Sequence, residues 1–223
     1  MQADTVISIL AVLRWPAIGI RAGVVAVSLV LWFWTQSLIG RKAAPKGGIG
    51  DVVHDLTARW NRYFSTHDRA ANAALIISSI FIDLFGLSLI GAAVFGSTFA
   101  PFLAILFLFA MRQLCQALCT LPPPPGMIWR NPGFPALLVT YSVGNDFFFS
   151  GHTAVAVLGA VEAAHLGPVW LGAVAVCIAL GEMLLVLVLR AHSTMDVVAG
   201  ALAAFLAAEV AGRLSPAVDV WLR

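Results

Sequence analysis

Six long apolar stretches constrain this chain more than any other feature of its sequence. Each is close to the roughly 20 mostly apolar residues that an α-helix needs to cross a bilayer. The stretches are Ile18–Gly40, Ala73–Phe95, Ala100–Cys119, Phe149–His165, Val169–Arg190 and Thr194–Arg213. Because lipid offers no hydrogen bonds to the backbone, such segments must be helical. The pattern predicts an all-α, polytopic membrane protein with about six transmembrane helices in one bundle.

The composition supports a lipid environment. The chain has 223 residues, of which 61% are hydrophobic and 11% charged, whereas soluble domains are about 45–50% apolar and about 25% charged. A net charge of +2 gives no reason to expect a nucleic-acid partner. The three cysteines lie in apolar stretches without a second pair to complete a metal site, so we interpret them as helix-packing residues.

No internal repeat is visible, so residues 1–223 are predicted to form a single membrane domain. Residues 1–16 are expected to lie in the membrane interface, and residues 112–200 hold the motifs described below. Residues 41–72 form a polar, amphipathic loop, in which apolar and aromatic residues recur at helical spacing beside two arginines. That pattern is typical of a helix on the surface of an anionic membrane. The alternative is an ordinary solvated connector.

The distribution of basic residues predicts the topology. With six spans, the first, third and fifth loops share one side of the membrane, and these loops contain most of the lysines and arginines. The positive-inside rule places them in the cytoplasm. The protein is therefore expected to be a multi-pass membrane protein with its functional motifs at one membrane face, the cytoplasmic one by charge count.

Two histidine motifs open two of the predicted spans at the same membrane face: Ser150-Gly151-His152 and His192-Ser-Thr-Met-Asp196. Ionisable residues at membrane depth are costly and indicate function. Ser150 can cap its helix, and Gly151 lets the backbone approach a ligand beside His152, where the helix N-terminus favours a phosphate. In a helical stretch, residues four apart share a face, so Asp196 can reach the ring of His192.

An anionic phosphate also needs fixed positive charge. Arg112, Arg130 and Arg190 are the candidates, since each lies at or near the predicted face of the motifs and arginine can pair with two phosphate oxygens at once. The sequence contains no phosphate-binding glycine loop, no HExxH zinc motif and no GxSxG elbow. We therefore predict neither a metal nor a cofactor.

Four carboxylates outside the two motifs lie within or near predicted spans: Asp83, Glu162, Glu182 and Glu209. Two of them, Asp83 and Glu182, are each predicted to make an inter-helix hydrogen bond that holds the bundle together. For Glu182 the alternatives are lining a lipid-entry cavity and pairing with Arg112.

The motifs resemble those of a known group of enzymes. The stretch from Asp146 to Thr153, followed by His192–Asp196, resembles the type 2 phosphatidic acid phosphatase superfamily, and within it most closely the sphingomyelin synthases. As in those enzymes, Arg112 is followed eight residues later by a Thr-Leu-Pro sequence. The chain departs from them at Ser193, where the family has tyrosine, and in its longer run of prolines.

The resemblance implies a phospholipid headgroup phosphotransferase. His192 would take the headgroup as a phosphohistidine, with Asp196 orienting and charge-balancing it. His152 would protonate the leaving diacylglycerol oxygen and then deprotonate the acceptor, while Asp146 would bind a headgroup amine or tie down its loop. The donor would be a glycerophospholipid of the bilayer carrying phosphocholine or phosphoethanolamine, and the acceptor a lipid alcohol, either ceramide or diacylglycerol.

Two other functions remain as alternatives. A lipid phosphate phosphatase would use the same phosphohistidine but release it to water. A non-catalytic membrane protein with incidental histidines is disfavoured, because the two motifs are predicted to converge.

Overall fold

The computed structural model describes residues 15–41, 50–141 and 147–222. Within these ranges the chain forms eight α-helices and no strand. The helices are α1 (Trp15–Gly40), α2 (Val52–Leu56), α3 (Ala58–Thr66), α4 (Asp68–Phe95), α5 (Ala100–Leu118), α6 (Gly151–Leu166), α7 (Val169–Val188) and α8 (Thr194–Trp221). The predicted N-terminal interfacial segment, most of the link after α1, and Asp146 lie outside the described residues.

Five of the described helices, α1, α4, α5, α7 and α8, are long and apolar enough to cross a membrane. The sixth predicted span corresponds to α6, which has 16 residues. At about 1.5 Å per residue it is about 24 Å long, against a hydrocarbon core of about 30 Å. The predicted all-α, polytopic membrane fold is confirmed. Of the six predicted spans, five are long enough to cross the membrane and the one that forms α6 is shorter.

The short helix α6 lies at the centre of the bundle. It packs against four other helices, α4, α5, α7 and α8. Its side chains there are small and buried, among them Ala154, Ala156 and Ala160. Gly159 has no room for a larger residue, because an added Cβ would lie 2.3 Å from the ring of Phe85. Close approach of small residues is the usual way in which membrane helices associate.

Three helix N-termini at one end of the bundle carry side-chain caps. Asp51 accepts hydrogen bonds from the first turn of α2, Ser150 caps α6, and Ser193 caps α8. These caps satisfy backbone N–H groups that a helix start leaves unpaired. The two histidine motifs therefore begin helices at the same end of the molecule.

The loop between α5 and α6 is held against α4. Asp83 accepts the backbone N–H groups of Leu137 and Leu138, each at 2.9 Å. The hydroxyl of Tyr141 lies 2.6 Å from that of Ser79. Asp83 thus fixes this loop instead of joining two helices.

Glu182 of α7 accepts a hydrogen bond from the hydroxyl of Ser78 on α4. This contact confirms the predicted inter-helix role of Glu182. The same carboxylate also borders an apolar groove between α4 and α7.

Candidate active site

The two histidine motifs are joined through the backbone. The N–H of Ser150 donates to the carbonyl of Asp196 at 3.0 Å. The approach is close because α8 has a glycine at the contact: a Cβ added to Gly200 would lie 2.7 Å from the carbonyl oxygen of Ser150. The predicted convergence of the motifs is therefore present in the fold.

The ring of His192 is buried and held by a main-chain group. Its Nδ1 lies 2.9 Å from the carbonyl oxygen of Phe147. A carbonyl can only accept, so Nδ1 carries the proton and the lone pair resides on Nε2. Burial, followed by the charge of the nearby Arg112, lowers the pKa of His192 to about 3. At neutral pH the ring is therefore uncharged, with Nε2 available as a nucleophile or a base.

Asp196 does not make the expected hydrogen bond to His192. Its carboxylate lies 3.9 Å from Nδ1, which is too long for a hydrogen bond. Instead it accepts the N–H and the hydroxyl of Ser193, at 2.8 and 2.7 Å, in the capping box of α8. The pairing is prevented because the Phe147 carbonyl occupies Nδ1. Asp196 thus fixes the start of α8.

Arg112 lies near the end of α5 and is buried against the first motif. Its Nε donates to the carbonyl of Phe149 at 2.9 Å. A Cβ added to Gly151 would lie 3.2 Å from that same Nε. Because Gly151 has no side chain, the guanidinium can lie close over the start of α6. Its charge is close enough to influence the protonation of His192.

The two histidines and Arg112 line one cavity of about 50 Å³. That volume holds a few water molecules. The remaining wall is largely aromatic and aliphatic, and includes Trp32, Phe109, Trp129 and Phe147. Trp129 meets the ring of His152 edge to face, with centroids 5.0 Å apart. The Nε2 atom of His152 is buried and has no hydrogen-bond partner among the described residues.

Within the described ranges, no three His, Cys, Asp or Glu side chains gather as a metal site would require.

Arg130 and Arg190, both predicted to bind phosphate, are engaged elsewhere. Arg130 is exposed and pairs with Asp68 at the start of α4. The Nη1 and Nη2 atoms of Arg190 donate to the carbonyls of Pro125 and His54, at 2.7 and 3.1 Å. Neither side chain lines the cavity. The structure thus brings Arg112 alone of the three arginines to the two histidines, and Asp146 lies outside the described residues.

A second set of contacts, made by α2 and its cap, was not predicted from the sequence. The Nε2 of His54 lies 2.9 Å from the carbonyl oxygen of His192. Asp51 accepts hydrogen bonds from the N–H and the hydroxyl of Thr194. Burial alone would raise the pKa of Asp51, but these bonds outweigh it and lower the pKa below its usual value. The segment before α8 is therefore held by α2.

A family model described as AtPDCT1/2 matches residues 50–213, which is more than half of the chain and includes both histidine motifs and Arg112. The protein belongs to the AtPDCT1/2 family. This is a family of phosphatidylcholine:diacylglycerol cholinephosphotransferase-like proteins, which are lipid headgroup phosphotransferases. It is compatible with the resemblance to the sphingomyelin synthases. No curated protein and no solved structure matches the chain.

Membership of the AtPDCT1/2 family makes this protein a membrane enzyme that transfers lipid headgroups. The matched range begins after α1, yet α1 supplies Trp32 to the cavity wall. The part of the chain outside the family match thus contributes to the site.

Proposed function

We propose that this protein transfers phosphocholine from phosphatidylcholine to diacylglycerol through a covalent intermediate on His192. The observation that carries the proposal is the joint lining of one buried cavity by His152, His192 and Arg112, in a chain of the AtPDCT1/2 family. A neutral nucleophilic nitrogen, a second imidazole and a fixed positive charge are what a two-step phosphoryl transfer requires.

In the first half-reaction, Nε2 of His192 attacks the phosphorus of the donor lipid. The bond from nitrogen to phosphorus forms as the bond from phosphorus to the glycerol oxygen breaks. That oxygen leaves as diacylglycerol with a proton from His152. The anionic phosphodiester favours the protonated imidazole of His152 while it is bound, and Arg112 stabilises the charge on the non-bridging oxygens.

In the second half-reaction, a new diacylglycerol enters. His152 takes the proton of its hydroxyl, the oxygen attacks phosphorus, and the bond to His192 breaks. The ester bond formed is of the same kind as the bond broken. The exchange is therefore close to thermoneutral and needs neither a cofactor nor an energy source.

The cavity wall supports choline as the headgroup. A quaternary ammonium is attracted to the faces of aromatic rings, above all tryptophan. Trp32 and Trp129 lie on the wall that Arg112 and the histidines also line. A phosphate bound at Arg112 would leave the ammonium to meet these rings.

The test uses the purified protein in lipid nanodiscs with phosphatidylcholine and fluorescent diacylglycerol. We expect fluorescent phosphatidylcholine to form, with no net release of phosphocholine. Fluorescent ceramide and phosphatidylethanolamine, offered separately, define the acceptor and the donor. Phosphocholine or phosphate released into water without a lipid product would refute transfer in favour of hydrolysis.

Matched histidine variants test the mechanism. His192→Gln should abolish the covalent phosphocholine intermediate, and His152→Gln should slow its formation by a factor of roughly 10² or more. His165→Gln is the control, because His165 is an exposed histidine near the opposite end of α6. Wild-type transfer by His192→Gln would exclude the proposed nucleophile.

A further inference from the structure

The short helices α2 and α3 carry a row of exposed apolar side chains. Val52 is 73% exposed, Leu56 79%, Trp60 54% and Tyr63 51%. Their spacing of four, four and three residues follows the helical period. All four are exposed, so they mark the outer side of α2 and α3. Large apolar side chains gathered on one exposed face indicate an interaction surface.

The opposite face of the same helices is buried and fixed. His54 and Asn61 are only 4% and 6% exposed. His54 contacts the carbonyl of His192, and Asn61 donates to the carbonyl of Val188 at 2.9 Å. Because the inner face is bonded to the end of α7 and to the loop that follows it, the helices cannot rotate to bury the outer face.

The position of these helices identifies what covers the outer face. They lie between α1 and α4, two helices able to cross the membrane, and they contact the bundle at the end that holds the histidine motifs. A segment so placed lies at the bilayer surface. Arg59 and Arg62 are exposed and flank the apolar row. Apolar residues beside arginines match the acyl–headgroup boundary of an anionic leaflet.

We propose that α2 and α3 form an interfacial anchor: the face of Val52, Leu56, Trp60 and Tyr63 is embedded among lipid headgroups, and Arg59 and Arg62 bind anionic lipid. Through His54, Asn61 and Asp51, the anchor also holds the His192 loop at headgroup depth. The membrane contact of α2 and α3 does not depend on the proposed reaction. Only the significance of holding the His192 loop rests on the proposed function.

Trp60 is a natural probe of this surface. Its fluorescence is obtained by subtracting the spectrum of Trp60→Phe from that of the wild-type protein, both in nanodiscs. Each spectrum is recorded with and without lipids brominated near the headgroup. We expect brominated lipid to quench Trp60 strongly and aqueous acrylamide to quench it weakly. Strong quenching by acrylamide alone would show a solvated connector and overturn the proposal. Quenching by neither would show that protein covers the face, which also overturns it.

The arginines are tested by lipid composition. The quenching by brominated lipid should be stronger in nanodiscs containing phosphatidylserine than in neutral ones, and Arg59→Gln with Arg62→Gln should remove that difference. An attraction of about 1 kcal/mol per arginine corresponds to about fivefold in the insertion equilibrium. As a control, Arg213→Gln removes a single positive charge near the end of α8, far along the helix from the motif at its start, and should leave the difference intact, as Arg59→Gln or Arg62→Gln alone should not. Equal quenching in both lipids by the wild type would contradict the role of the arginines.

Discussion

The protonation of His192 can be tested directly. The structure predicts an uncharged ring with the proton on Nδ1, because Nδ1 faces the Phe147 carbonyl and burial, with the Arg112 charge, lowers the pKa to about 3. At pH 5 such a ring is about 99% neutral, whereas an exposed histidine of pKa about 6.5 is only about 3% neutral. The two cases differ about thirtyfold in the concentration of the nucleophilic form.

Nitrogen NMR of ¹⁵N-labelled imidazoles separates these cases. The protein has five histidines, and the His192 signals are those missing from His192→Gln. We expect an Nδ1–H tautomer whose shifts stay constant from pH 7.5 to pH 5. A ring that titrates between pH 6 and 7, or one with the proton on Nε2, would refute the reasoning.

The same pKa shift affects stability. Below pH 6.5 the unfolded chain takes up a proton at His192, but the folded chain does so only near pH 3. The contribution of the neutral His192 ring to the free energy of unfolding is therefore fully present above pH 6.5 and is lost as the pH falls towards 3. Between pH 7 and pH 5 the loss is about 2 kcal/mol. His192→Gln should lack this contribution to the acid slope in thermal or denaturant unfolding. Identical slopes for the two proteins would contradict a neutral His192.

Three further predictions concern packing, specificity and topology. Gly200→Ala should lower the free energy of unfolding by about 1–3 kcal/mol and reduce transfer, because the added methyl meets the Ser150 carbonyl. Its control is Gly212→Ala on the same helix, where the added methyl has open space, so thermal unfolding and activity should both be unchanged. Trp129→Leu should lower the preference for phosphatidylcholine over phosphatidylethanolamine several-fold in donor competition, and an unchanged ratio would exclude a choline contact at this ring. A cysteine introduced near Arg62 should react with a membrane-impermeant maleimide only after cells are opened, and labelling of intact cells would place the site on the outer face.

The apolar stretches predicted the architecture well because lipid leaves a long apolar segment few alternatives to a helix. The helix ends were predicted less well. Helix α8 continues to Trp221 through Pro216, and α4 begins at Asp68, five residues before the predicted start. Backbone hydrogen bonding does not stop where the hydrocarbon core ends, so hydropathy underestimates such helices.

The sequence predicted those site residues that belong to short, recognisable motifs. The two histidine motifs, Ser150–His152 and His192–Asp196, were predicted to lie close together because both begin helices at the same membrane face. The contact of His54 with His192 spans 138 residues, and no local pattern indicates it. Asp196 could be placed on the right helical face, but spacing alone could not show that Ser193 would take its carboxylate for the helix cap.

The carbonyl of Phe147 has a consequence for genetics. Every amino acid supplies the same carbonyl, so no codon change at position 147 can delete the acceptor that selects the tautomer of His192. Alanine scanning and natural variation would therefore report only the aromatic ring at this position. A backbone ester between Phe147 and Phe148, which weakens the carbonyl as an acceptor, is the chemical change that reaches it.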